Sequence, residues 1–130
     1  MVKQIHYLGL IGFIAGWLTV SQVFITNQTD LLYSRWLGVS FMITSFINIV
    51  FLVALILVFR KRIPYEERLY WPLTITLTGW LDNLISYTRF SGIPDYWPLP
   101  GGIVTNASDL LIWVGLIWLF GVLFIWRKPA

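Results

Sequence analysis

Charge is scarce in this sequence. Of 130 residues, nine are basic, six are acidic and 58% are hydrophobic, and the mean hydropathy is +0.76. Soluble domains carry roughly a quarter charged residues, and a small chain has proportionally more surface to solvate. So few charges cannot dress a globule this apolar, which excludes a soluble enzyme and a disordered chain alike. Cysteine is absent, so disulfides, thiol nucleophiles and cysteine-based zinc sites are excluded. His6 is the only histidine, so one chain cannot build a His–His metal site or a Ser-His-Asp triad. The net charge of +3 does not indicate a nucleic-acid partner, because the basic residues sit at the ends of apolar runs. Any catalysis falls to the six carboxylates, to hydroxyls or to a metal held by oxygen; where carboxylates supply both acid and base, no metal or cofactor is expected.

What is present is long apolar runs. A bilayer core about 30 Å thick takes roughly 20 apolar residues of helix. Four stretches qualify: 5–25, 36–59, 69–87 and 110–126, the third unusually polar. Backbone groups in lipid need internal partners, so each is expected to be helical. The first run has no clear small-residue cleavage site around Ser21, between Val20 and Gln22, and reads as an anchor. The expected fold is an all-α integral membrane protein, a single four-helix transmembrane domain over 1–130, with no oligomer required. Lys3, Arg60, Lys61, Arg62, Arg68, Arg127 and Lys128 fall on one side, and only Arg35 and Arg89 on the other. That asymmetry puts both termini in the cytoplasm. Trp17, Trp36, Trp71, Trp97 and Trp126 lie near expected helix ends, where indole rings favour the interface.

Two segments then face outward, 26–35 and 88–108. The second contains Gly92, Pro94, Pro98, Pro100, Gly101 and Gly102 and is too long for a simple turn. Polar groups at membrane depth are costly, so their positions are informative. The third run carries Thr74, Thr76, Thr78, Asp82, Asn83 and Ser86. Asp82, Asn83 and Ser86 share one helix face at its outer end, and Asp82 pairing with Arg89 is one structural reading. Asp95 follows, fixed locally by Pro94. Asn106 and Asp109 open the fourth run, where capping and the helix dipole offer an ordinary role for each. Taken together, Asp82, Asn83, Asp95, Asn106 and Asp109 fall within 28 residues of a charge-poor chain, which points to a polar site near the outer surface.

Two carboxylates brought together share a proton, because like charges a few ångströms apart resist joint ionisation. The ionised member activates water; the protonated member polarises a scissile carbonyl and then protonates the leaving amine. The helix dipole favours the charged form of Asp109, leaving Asp95 as the acid, although titration belongs to the pair.

These residues resemble lipoprotein signal peptidase, or signal peptidase II. That family has four spans with both ends cytoplasmic, a G-N-x-x-D-R motif closing the third, then V-V-D-F, and F-N-x-A-D opening the fourth. Here the sequence reads Asp82-Asn83-Leu84-Ile85-Ser86-Tyr87, then Ile93-Pro94-Asp95-Tyr96, then Thr105-Asn106-Ala107-Ser108-Asp109. The resemblance implies that Asp95 and Asp109 are catalytic, with Asn83 and Asn106 as the motif asparagines. Gly38 and Phe41 resemble its N-x-G-x-x-F segment, and Ser21-Gln22 its D-Q pair. It implies cleavage of diacylglyceryl-modified prolipoprotein signal peptides at the outer face of the inner (cytoplasmic) membrane, by a multi-pass protein whose partners are that peptide and membrane lipids. The 26–35 and 97–102 segments are candidate lids.

The chain departs from the pattern. The motif glycine is Asp82, the D-R pair is Ser86-Tyr87, the asparagine of N-x-G is Trp36, the acid of D-Q is Ser21, and Ser108 precedes the second aspartate. Asp82 and Arg89 stand close enough in sequence to compensate for the lost pair, alongside Ser86. Two other readings stay open: a catalytically silent relative that binds lipidated peptides, and a small transporter or assembly subunit using the polar residues of the third run. Asn48 is the main polar residue in the second run and equally suits an interhelical hydrogen bond. The sequons at Asn27 and Asn106 hug the membrane and read as chance matches.

Overall fold

The computed structural model describes residues 2–28, 32–34, 38–59, 66–102 and 104–125. Asp30, Arg35, Trp36, Arg60, Lys61, Arg62, Trp126, Arg127 and Lys128 lie outside the described residues. Four long helices dominate: α1 (Val2–Thr26), α2 (Gly38–Phe59), α3 (Tyr70–Phe90) and α4 (Ala107–Phe124). A short 3₁₀ helix, Glu66–Leu69, leads into α3. By length and composition, the stretches Lys3–Thr26 and Ala107–Phe124 are apolar enough to cross a membrane, among the described residues.

Two boundaries differ from the apolar runs, each for a local reason. Helix α3 continues to Phe90, beyond the expected end at 87, and stops where Ser91 turns left-handed, at φ 54°. Helix α4 starts at Ala107 rather than 110. The Asn106 side chain accepts the Asp109 N–H while the Asp109 carboxylate accepts the Asn106 N–H, a reciprocal capping box. Polar residues thus extend helices that hydropathy alone ends early.

The all-helical expectation also misses four short strands. β1 (Leu32–Ser34) pairs antiparallel with β2 (Ile93–Asp95), matching Leu32 to Asp95 and Ser34 to Ile93. The two segments between helices are therefore joined to one another. β3 (Trp97–Pro98) folds back on β4 (Val104–Thr105), with Gly101 and Gly102 at φ 90° and 78° in the connection. Glycine suits those positive angles because it has no Cβ to clash. Strands of two or three residues are too short to leave an alternation pattern in sequence.

Packing is tightest between α3 and α4, which run antiparallel. A Cβ on Gly79 would lie 2.5 Å from the Ser108 carbonyl oxygen and 2.8 Å from the Ile112 side chain. A Cβ on Gly115 would strike the Thr76 hydroxyl and come within 2.8 Å of the Pro72 carbonyl oxygen. Small residues let helix backbones approach this closely. Helix α1 packs alongside α3, with His6 against Tyr70 and Trp71 at one end and Gln22 against Ser86 at the other.

The interior is inverted relative to a soluble protein. The buried apolar cluster is small: Leu52, Leu69, Leu119, Val122 and Leu123. Buried polar residues are as prominent, including Thr76, Thr78, Asp82, Asn83, Ser86, Asn106 and Ser108. Large apolar side chains lie outside, with Val20 70%, Phe46 69% and Ile117 68% exposed.

Replacing Gly115 with valine should force α3 and α4 apart and cost about 1–3 kcal/mol of stability. Gly121, with nothing within 4 Å of its notional Cβ among the described residues, is the control on the same helix. Thermal unfolding in detergent is expected to show a large loss for Gly115→Val and little for Gly121→Ala.

Candidate active site

Helix α3 presents two adjacent polar residues that point to different neighbours. Asp82, 1% exposed, is the meeting point of three helices. Its Oδ2 accepts the Trp17 indole N–H at 3.3 Å, the Ser21 hydroxyl at 2.5 Å, and the Ser108 hydroxyl. Its Oδ1 accepts an amide hydrogen of Gln22 at 2.8 Å. Trp17, Ser21 and Gln22 come from α1 and Ser108 from α4. A carboxylate offers about four lone-pair sites, and here four donors meet it, three on Oδ2 and one on Oδ1. Satisfied donors on all sides are what make such a group tolerable inside a bundle.

Asn83 turns instead to α4 and donates to Asp109 Oδ1 at 2.9 Å. Asp109 Oδ2 accepts the Thr105 hydroxyl at 2.9 Å and the Asn106 N–H at 3.4 Å. The Asp109 N–H is in turn received by Asn106 Oδ1 at 2.9 Å. All three side-chain contacts of Asp109 present hydrogens to it, the arrangement a carboxylate needs, and about one lone-pair site is left over. Asn106 is 2% exposed, and its Nδ2 has no hydrogen-bond partner among the described residues. A buried amide donor left open costs free energy.

Asp95 closes β2 and is half-buried. It enters the same cluster through its neighbours. The Tyr96 N–H donates to the Thr105 carbonyl at 3.1 Å, and Trp97 pairs with Thr105 across β3 and β4. The Tyr96 hydroxyl accepts the Ala107 N–H at 2.9 Å. The backbone beside Asp95 is thus anchored on both sides of Asn106, at the start of the helix that carries Asp109. Burial pushes the Tyr96 phenol above its ordinary value, and the charges of Asp82 and Asp109 act in the same direction. The hydroxyl therefore stays protonated at neutral pH.

Asp82, Asn83 and Ser86 do not act as one face. Asp82 and Ser86 turn to α1, where Gln22 Nε2 reaches both, and Asn83 turns to α4. Arg89 likewise turns to α1 rather than to Asp82: it donates to Gln22 Oε1 at 2.6 Å and to Thr26 Oγ1 at 3.3 Å. Gln22 stands between the two charges, bonded to each, a bridge that the spacing of Asp82 and Arg89 along α3 does not reveal. Gly38 opens α2.

Sequence reasoning missed Trp17, Thr105 and Ser108 as partners of the acids, and Tyr96 as the anchor of the segment beside Asp95. The one usable signal was polar spacing on α1, where Ser21 and Gln22 follow Trp17 by one turn in an otherwise apolar run.

An open groove of about 350 Å³ runs along α2, α3 and α4, with Asp109 at one end. Its other lining residues include Leu52, Trp80, Ile112, Trp113 and Phe120, and Asn48 adds the second polar group. Among the described residues no three acidic or histidine side chains are grouped to hold a metal ion.

Replacing Asp82 with alanine strands four donors in the interior. The expected cost is about 3 kcal/mol, read as a drop in thermal stability in detergent. Ser86→Ala, which removes one contact from Gln22, should cost about 1 kcal/mol. No family model, curated protein or solved structure matches the chain, so what the site can do follows from its own residues.

Proposed function

We propose that this protein is an intramembrane aspartyl endopeptidase of the signal peptidase II type. It would remove signal peptides from diacylglyceryl-modified prolipoproteins, with Asp95 and Asp109 as the catalytic pair. The observation that carries this reading is the Asp109 carboxylate, held by Asn83, Thr105 and Asn106 at the end of an otherwise apolar groove. A carboxylate so positioned meets a substrate that arrives sideways from lipid.

In this mechanism Asp109 takes a proton from water, and the resulting hydroxide attacks the carbonyl carbon of the scissile bond. Protonated Asp95 polarises the carbonyl oxygen by a hydrogen bond as the tetrahedral intermediate forms. Asp95 then delivers its proton to the departing amine as the C–N bond breaks, and the proton that Asp109 took from water passes back to Asp95 to restore the shared-proton pair. The groove residues from Trp80 to Phe120 receive the apolar signal segment.

The inverted distribution of polar and apolar residues supports a membrane protein, and we infer four spans with both termini cytoplasmic. The chain lacks cysteine, so single-cysteine variants report topology directly. A membrane-impermeant maleimide should label Leu99→Cys in intact spheroplasts and Lys3→Cys only after permeabilisation. The reverse pattern would invert the topology.

The catalytic assignment is tested with a diacylglyceryl-modified lipopeptide and purified protein in detergent. Wild type should cut immediately before the lipidated cysteine. Asp95→Asn and Asp109→Asn should each lower kcat by at least about a hundredfold. Both variants cleaving at the wild-type rate would overturn the assignment. Wild-type binding of the lipopeptide without cleavage would identify a non-catalytic binder.

A further inference from the structure

We infer that Tyr96 is a positioning residue for the two aspartates, acting through the hydrogen bond between its hydroxyl and the Ala107 N–H. The inference rests on the endopeptidase reading above and adds to it a residue that touches neither substrate nor the reacting atoms.

Tyr96 follows Asp95 directly and is held at three points. Its N–H donates to the Thr105 carbonyl at 3.1 Å, its hydroxyl accepts the Ala107 N–H at 2.9 Å, and its ring meets Phe24 of α1 edge-on at 5.2 Å between centroids. The first two holds lie two residues apart on the segment that enters α4, and Asp109 lies two residues beyond the second. Backbone pairing holds Asp95 to Leu32 and Tyr96 to Thr105; the hydroxyl, at the far end of a rigid ring, adds a hold on the first residue of α4. Neighbouring side chains on an extended chain point to opposite sides, so the orientation of Tyr96 sets the direction of Asp95.

The division of labour at the α4 N-terminus supports this assignment. A helix start leaves several N–H groups without internal partners. Asn106 takes that of Asp109, and the Tyr96 hydroxyl takes that of Ala107. An ordinary cap comes from the residue at the helix start; here one partner comes from eleven residues upstream, beside the other acid. The phenol is uncharged at neutral pH and accepts this bond without adding a charge beside Asp109. The hollow it faces, about 250 Å³ lined by Trp17, Val20, Ser21, Phe24 and Ala107, is distinct from the groove that ends on Asp109. Tyr96 thus works from the side away from that groove.

The test is steady-state cleavage of the diacylglyceryl lipopeptide by Tyr96→Phe across the pH range, beside wild type, Asp95→Asn and Asp109→Asn. Phenylalanine keeps the ring against Phe24 and removes only the acceptor. The expected result is a kcat about tenfold lower, a KM within about twofold of wild type, and a pH–rate profile altered in shape. Lipopeptide binding followed by intrinsic fluorescence confirms that the variant is folded. An unchanged kcat and pH profile, or a loss confined to KM, overturns the role of Tyr96. If the aspartate variants are inactive and Tyr96→Phe is normal, only this inference fails. If the aspartate variants cleave normally, the endopeptidase reading fails and this inference with it.

Discussion

A buried carboxylate holds the bundle in register. Asp82 accepts hydrogen bonds from Trp17, Ser21 and Gln22 on α1 and from Ser108 on α4, while itself belonging to α3. Apolar packing cannot do this alone in a molecule whose large apolar side chains face outward. Where the surroundings are as apolar as the side chains, burial gives no preference for one helix register over another. Hydrogen bonds are directional and do give one. Moving any of the three helices by a single turn would leave several polar groups in the interior without partners.

The close approach of α3 and α4 makes the rest of the polar cluster possible. Gly79 and Gly115 let the two backbones come near enough for consecutive residues to bond in parallel. Ser108 meets Asp82, and Asp109 meets Asn83, its neighbour along α3. The carboxylate that anchors the fold and the carboxylate proposed to do chemistry are therefore linked through adjacent residues on both helices. Arg89 joins this frame from the end of α3 through Gln22, in a chain that has serine and tyrosine where the resembling family carries its acidic and basic pair. Polar groups that differ residue by residue from that family's pattern can still form one connected network.

The segments between the helices belong to the same construction. β1 and β2 tie the α1–α2 connection to the strand that ends in Asp95. Tyr96 then ties that strand to the start of α4. Three of the four helices and both of these connections converge within a few residues of Asp109.

Sequence alone determined the coarse plan. Scarcity of charge and long apolar runs set four helices, because uninterrupted apolar segments have few other ways to satisfy their backbones. The same scarcity made Asp82, Asn83, Asp95, Asn106 and Asp109 conspicuous as a group. Local chemistry also made the N-cap of α4 legible, since the Asn106–Asp109 box depends only on spacing along one helix. What required the tertiary structure was the choice of partners. The contacts from Ser21 to Asp82 and from Arg89 to Gln22 cross more than sixty residues, and helical periodicity within one run carries no information about the facing residue on another. Asp82 and Asn83 look alike in the sequence; only the packing of α1 and α4 against α3 gives Asp82 donors from both helices and gives Asn83 to Asp109.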